Sequence, residues 1–196
     1  MSRVLHLMLD VEQLDDGRDS GDPSGAIDPG LADLLAFSRE QAIVTTILCP
    51  DPGGSVRRML HRAGWDEVRV VTESTCWLPD GSETPLREHA VFPYANSECD
   101  RCARCRRNLM LGSAAEGDVL IYAGDGHSDP CPAEYADIVF ARGRLQTWCQ
   151  QQNITYHHFG SFGDIRQRLA LDSAHRRLRP RPRAERKRRE AYMVEA

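Results

Sequence analysis

The sequence predicts a three-layer α/β fold with a mostly parallel sheet of about five strands. Two observations carry that prediction. Short apolar runs of strand length alternate with helical patterns, the order that gives a parallel sheet covered by helices on both faces. The β-rich run at 119–122 then ends in the polar turn Gly124-Asp125-Gly126-His127-Ser128-Asp129. Open α/β sheets place their ligands at such turns, at the carboxyl ends of strands. With 196 residues, the chain suits one domain with a single core.

Each element has a local reason. Residues 4–9 (VLHLML) form an apolar run that stops at Asp10, and residues 15–30 are rich in Gly, Pro, Asp and Ser and read as loop. A helix follows over 29–41, where Leu31, Leu34, Leu35 and Phe37 recur at helical spacing. Asp28 suits its N-cap and Pro29 its first turn. Residues 43–48 (IVTTIL) read as a buried strand and 49–54 as its loop. A short helix over 55–63 is stopped by Gly64. A third strand covers 68–72, and 75–98 read as a hairpin around Pro79-Asp80-Gly81 followed by a loop. A helix over 101–111 leads into the strand ending at Tyr122. Helices at 132–135, 145–152 and 164–171 then flank a strand at 138–140.

No apolar run reaches the roughly 18 residues of a membrane span, and no basic-then-apolar leader opens the chain, so a cytoplasmic protein is expected. Of 25 basic residues 24 are Arg and one is Lys187, so any lysine chemistry in the body must fall to an arginine. Residues 174–196 hold nine Arg or Lys and three Glu, which leaves −10 on residues 1–173. The expected organisation is therefore an α/β domain at 1–173 and a basic C-terminal tail at 174–196. That tail could contact nucleic acid, anionic lipid, an acidic partner or the acidic body itself. The negative body argues against a broad nucleic-acid surface.

Two clusters carry metal-binding chemistry. Asp125 and Asp129, four residues apart in a glycine-flanked turn, offer hard oxygen ligands of the kind Mg²⁺ takes together with waters and phosphate oxygens. Cys99, Cys102 and Cys105 supply three thiols within seven residues, with Cys76, His89 or Asp100 as fourth ligand of a candidate Zn²⁺ site. The other reading of these cysteines is reduced thiols without metal. The adjacent pair His157 and His158 reads as surface or structural.

The stretches YAGDGHSD, AEYADIVFAR and LQTWCQQQNITYHHFGSFGDI resemble the C-terminal third of haloacid dehalogenase superfamily phosphatases. The nearest branch holds 2-hydroxy-3-keto-5-methylthiopentenyl-1-phosphate phosphatase and phosphoserine-phosphatase-like enzymes. Cys102-x-x-Cys105-Arg106 and Ile27-Asp28-Pro29-Gly30-Leu31 add to the likeness, which covers roughly residues 27–170. It implies a haloacid dehalogenase-like, Rossmann-like domain and an aspartyl-phosphate mechanism. Asp10 takes the position of the nucleophile and Glu12 that of the acid two residues later, where the family has Asp. Cys49 stands where the family has a phosphate-binding Ser or Thr after the second strand, with Thr46 deeper in that strand. Arg106 stands in the family's Lys position, with Arg107 as runner-up. Asp10, Asp125 and Asp129 are the implied Mg²⁺ ligands, and His127 lies within reach of substrate. Only residues 15–26 occupy the place of the family's helical cap, so the cap is absent or minimal.

The expected function is Mg²⁺-dependent hydrolysis of a small phosphate monoester through an aspartyl-phosphate. The alternative is a non-catalytic domain of the same fold, stabilised by Zn²⁺ at the cysteine cluster, that binds a partner or a phosphorylated ligand.

Overall fold

The computed structural model describes residues 3–10, 28–49, 54–72, 74–78, 87–91, 105–126 and 130–194, with 74–78, 87–91 and 192–194 described by backbone alone. The strands are β1 (Leu5–Asp10), β2 (Ile43–Leu48), β3 (Arg69–Val71), β4 (Ser74–Leu78), β5 (Arg87–Val91), β6 (Val119–Gly124), β7 (Ile138–Ala141) and β8 (His157–His158). The helices are α1 (Pro29–Glu40), α2 (Ser55–Arg62), α3 (Arg106–Ser113), α4 (Pro130–Tyr135), α5 (Gly143–Gln151), α6 (Phe162–Ala174) and α7 (Pro182–Val194). Six strands form one parallel sheet in the order β3-β2-β1-β6-β7-β8. The sixth, β8, is a two-residue His-His strand whose sequence has no apolar alternation to announce it. β4 and β5 pair antiparallel, as the hairpin reading expects, while its Pro79-Asp80-Gly81 turn lies outside the described residues.

The sheet is a layer between two apolar clusters. Side chains alternate along a strand, so Leu7 and Leu9 point to one face and Met8 and Asp10 to the other. On the first face Leu7, Leu9, Ile43, Ile47 and Ile121 pack with Leu31, Leu34 and Leu35 of α1, Leu60 of α2, and Ile165 and Leu169 of α6. On the second, Met8, Leu120, Tyr122 and Val139 pack with Leu109 and Met110 of α3, Ala133 of α4, and Leu145 and Cys149 of α5. All six residues of β6 are buried, which is why that strand reads as an unbroken apolar run. The caps follow local chemistry. Asp28 Oδ1 accepts the Leu31 N–H at 2.8 Å ahead of Pro29, and α2 closes before Gly64, whose φ of +76° favours glycine. At α6 the Ser161 and Asp164 side chains each accept the other's backbone N–H, a reciprocal cap.

The basic C-terminal segment carries a helix of its own. Its residues 182–194 form α7, which packs on α4. The Arg188 guanidinium, buried, donates to the Tyr135 carbonyl at 2.6 Å and to Asp137 Oδ1 at 3.1 Å. Arg181 donates its backbone N–H to Asp137 Oδ1 at 2.7 Å and its side chain to the carbonyls of Ala133 and Glu134. Lys187 pairs with Glu134. The segment's charge thus closes on the α4–β7 corner.

A second buried acid fastens the start of the sheet. Asp118 accepts the N–H of Val4 at 3.0 Å and of Ala115 at 2.9 Å, and its Oδ2 lies 3.2 Å from His6 Nε2. Burial pushes its pKa up, but the two backbone N–H groups and His6 outweigh that and hold the carboxyl below its ordinary value. A depressed folded pKa gives stability that is present above the unfolded value of about 3.9 and is lost as pH falls through the folded value. Acid titration of the unfolding free energy should therefore show a loss beginning near pH 4 that is smaller in Asp118→Ala. That variant should itself be less stable at neutral pH by about 1–3 kcal/mol. An unchanged acid limb would remove the assignment.

Candidate active site

Asp10 is the last residue of β1, and its neighbour β6 runs parallel with Leu9 opposite Ala123. The polar turn therefore starts beside Asp10, and Asp10 and Asp125 sit at the carboxyl ends of adjacent central strands. This is the position at which α/β sheets offer side chains to a ligand.

Asp10 is itself buried, with its side chain 3% exposed. An isolated carboxylate there would cost several kcal/mol, so it must be paired and hydrogen-bonded. Arg106, the first residue of α3, supplies the charge. Its Nε donates to Asp10 Oδ2 and its Nη2 to Oδ1 at 3.1 Å, a two-point grip that a lysine could not make. The Tyr122 hydroxyl adds a third donor, to Oδ2 at 2.8 Å. Arg107 faces elsewhere, with its guanidinium on Asn108 Oδ1 and 5.9 Å from the centroid of Tyr135. Adjacent helical positions point about 100° apart, so only one of the two arginines can face the sheet, and it is Arg106.

Asp125 has an arginine of its own. Nε and Nη2 of Arg142 both donate to its Oδ2, at 3.0 and 2.8 Å, and the same guanidinium lies 5.0 Å from the centroid of Phe159. Arg142 follows β7 and donates its backbone N–H to the Gly124 carbonyl at 3.3 Å. Gly143 next to it has φ +54°, and a Cβ there would lie 3.1 Å from the Asp125 carbonyl oxygen. The β6 and β7 turns are thus packed directly on one another.

The other expected site residues fall differently. Cys49 is buried at the end of β2, with its N–H on the Val71 carbonyl at 3.3 Å, and it packs in the Leu7–Leu9 cluster on the face opposite Asp10. Thr46 is buried beside Met8. Glu12, His127, Asp129, Cys99, Cys102 and the alternative ligand Asp100 lie outside the described residues. Cys105 is buried at the N-cap of α3. Among the described residues no three of His, Cys, Asp and Glu gather as a metal site. Of the Mg²⁺ ligand set, the described members are Asp10 and Asp125. His158 is exposed and His157 half-buried, 5.5 Å from the Phe140 ring, in keeping with a structural role.

Two site residues went unassigned in the sequence. Tyr122 carried a signal, since a phenol in an otherwise apolar buried strand needs a partner for its hydroxyl. Arg142 carried a weaker one, as the first charge after a buried strand.

No family model matches the chain. Curated relatives do. The chain is 29% identical to a 2-hydroxy-3-keto-5-methylthiopentenyl-1-phosphate phosphatase of Microcystis aeruginosa, over 76% of this chain and 66% of the relative. It is 28% identical to an enzyme of the same name from Exiguobacterium sibiricum, over 81% and 70%. The match to the polyol phosphate phosphatase PYP1 of Saccharomyces cerevisiae is 25% over 71% and 61%. The chain is thus similar to phosphatases that act on small phosphorylated molecules by name. It spans about two thirds of the length of these relatives. The six-stranded parallel sheet flanked by helices matches the fold that the resemblance implies.

Proposed function

We propose that this haloacid dehalogenase-type chain hydrolyses a small phosphate monoester through an aspartyl-phosphate on Asp10. The observation that carries the reading is the Asp10–Arg106 pair at the carboxyl end of the central strand, beside the turn that holds Asp125. The relatives' names favour phosphate ester hydrolysis over the non-catalytic alternative.

In the first half-reaction an Asp10 carboxylate oxygen attacks phosphorus. The bond from phosphorus to the ester oxygen breaks, and the Glu12 carboxyl gives its proton to that leaving oxygen. In the second, Glu12 takes a proton from a water whose oxygen attacks the phosphorus. The bond to Asp10 breaks, phosphate leaves and the carboxylate is restored. Arg106 offsets the charge on the transferring group from a site where water cannot screen it. The carboxylates of Asp10 and Asp125 are hard oxygen donors at adjacent strand ends and fit Mg²⁺, with Asp129 as the third residue that would hold it. Bound there, the cation would supply further charge stabilisation of the phosphoryl oxygens.

The substrate is a small phosphorylated molecule, and a cytoplasmic setting suits it. Among the described residues no helix is long and apolar enough to cross a membrane. The test is hydrolysis of p-nitrophenyl phosphate by the full chain with and without Mg²⁺. Turnover that needs the cation is the expected result. Wild-type protein inert toward a broad panel of phosphate esters with Mg²⁺ would decide against the reading.

A further inference from the structure

We propose that the Tyr122 hydroxyl anchors Oδ2 of Asp10 and so presents Oδ1 as the attacking oxygen, a positioning role that rests on the phosphatase reading above. The argument starts from strand register. Tyr122 lies opposite Met8 in the β1–β6 ladder, and Asp10 follows Met8 by two residues on the same face. A tyrosine at that register is long enough to lean along the strand and reach the carboxylate, and its hydroxyl does so at 2.8 Å.

The two carboxylate oxygens are held unequally. Oδ2 accepts from Arg106 Nε and from Tyr122, whereas Oδ1 accepts from Arg106 Nη2 at 3.1 Å. A phosphoryl group entering beside Asp10 brings negative charge, and Arg106 is the chain's own cation beside that carboxylate to meet it, together with the Mg²⁺ that Asp10 and Asp125 would hold. Once the guanidinium turns toward the phosphoryl oxygens, Oδ2 still carries the phenol hydrogen bond and Oδ1 has lost its donor. The oxygen without a donor has its lone pairs available and attacks. The anchored oxygen becomes the carbonyl oxygen of the acyl phosphate. A carboxylate that can rotate about its χ2 presents either oxygen, and a fixed one presents the same oxygen at every turnover, so the gain is one of orientation.

The position of Tyr122 makes this more than a packing contact. Its side chain is fully buried among Met8, Leu109, Met110, Leu120 and Val139, with 0% exposure. No water replaces a donor lost there, and the ring alone would fill the space as phenylalanine. The hydroxyl is the only part of the side chain that the apolar cluster does not require.

The experiment is Tyr122→Phe in the full chain, assayed with p-nitrophenyl phosphate and Mg²⁺ beside wild type and Asp10→Asn. Loss of a hydrogen bond to a charged group in a dry site predicts a fall in kcat of about 10- to 100-fold. KM and inhibition by inorganic phosphate should stay within about twofold, because the hydroxyl acts on the nucleophile and leaves ground-state binding alone. Melting temperature reports the structural contribution separately. A lower Tm with unchanged kcat, or a raised KM with unchanged kcat, overturns the positioning role and leaves the phosphatase reading standing. Undiminished turnover in Asp10→Asn, or inert wild type, overturns that reading and the positioning role together.

Discussion

Asp10→Asn should abolish turnover, with a loss on the order of 10⁴-fold or more, because the amide lacks the lone pair and charge with which the carboxylate attacks phosphorus. The structure adds a second consequence. Asp10 pairs with the buried Arg106, and Asn keeps one acceptor oxygen for it while removing the counter-charge. The variant should therefore be less stable by about 1.5–3 kcal/mol, the range for a hydrogen bond to a charged group. Activity must be compared at a temperature where thermal melts show both proteins folded. Under that condition a folded, inactive Asp10→Asn identifies the nucleophile. A folded variant that retains turnover would place the nucleophile elsewhere and leave the Asp10–Arg106 pair as a structural feature alone.

The parts of the fold that were legible in the sequence are those whose cause is local. Burial on both faces writes β2 and β6 as apolar runs, and Asp28-Pro29 and Gly64 mark helix ends through their own backbone chemistry. β8 has no such signature, since two histidines carry no period. The candidate site was legible to the extent that its chemistry lies at strand ends. Asp10 and Asp125 each terminate an apolar run, and Arg106 follows a cysteine motif. The choice of Arg106 over Arg107 came from the resemblance alone, because no local signal states the rotation of α3 against the sheet. Tyr122 and Arg142 become site residues through parallel register between strands more than 100 residues apart in the first case, and through abutting turns in the second. The docking of α7 was hidden for the same reason. Its partner Asp137 precedes Arg181 by 44 positions and Arg188 by 51.

That acid should be the most sensitive single position for stability. The Asp137 side chain is 0% exposed at the start of β7. Its Oδ2 accepts the Leu120 N–H at 2.9 Å, and its Oδ1 accepts the Arg181 N–H at 2.7 Å and Arg188 Nη1 at 3.1 Å. It therefore joins β6, β7 and the chain leading into α7 through one carboxylate. Burial pushes the pKa of the half-buried Arg181 down while Asp137 pulls it back up, and the same acid is what makes the buried Arg188 guanidinium tolerable. Asp137→Ala removes three hydrogen bonds and leaves the buried Arg188 charge uncompensated, which should cost about 3–5 kcal/mol. For a chain of this size that corresponds to a fall in Tm of roughly 6–20 °C. Combining it with Arg188→Leu should cost less than the sum of the two single changes, because the second removes the charge that the first had stranded. Additive losses in that double-mutant cycle, read from denaturant melts, would mean that α7 is held to the sheet by other contacts.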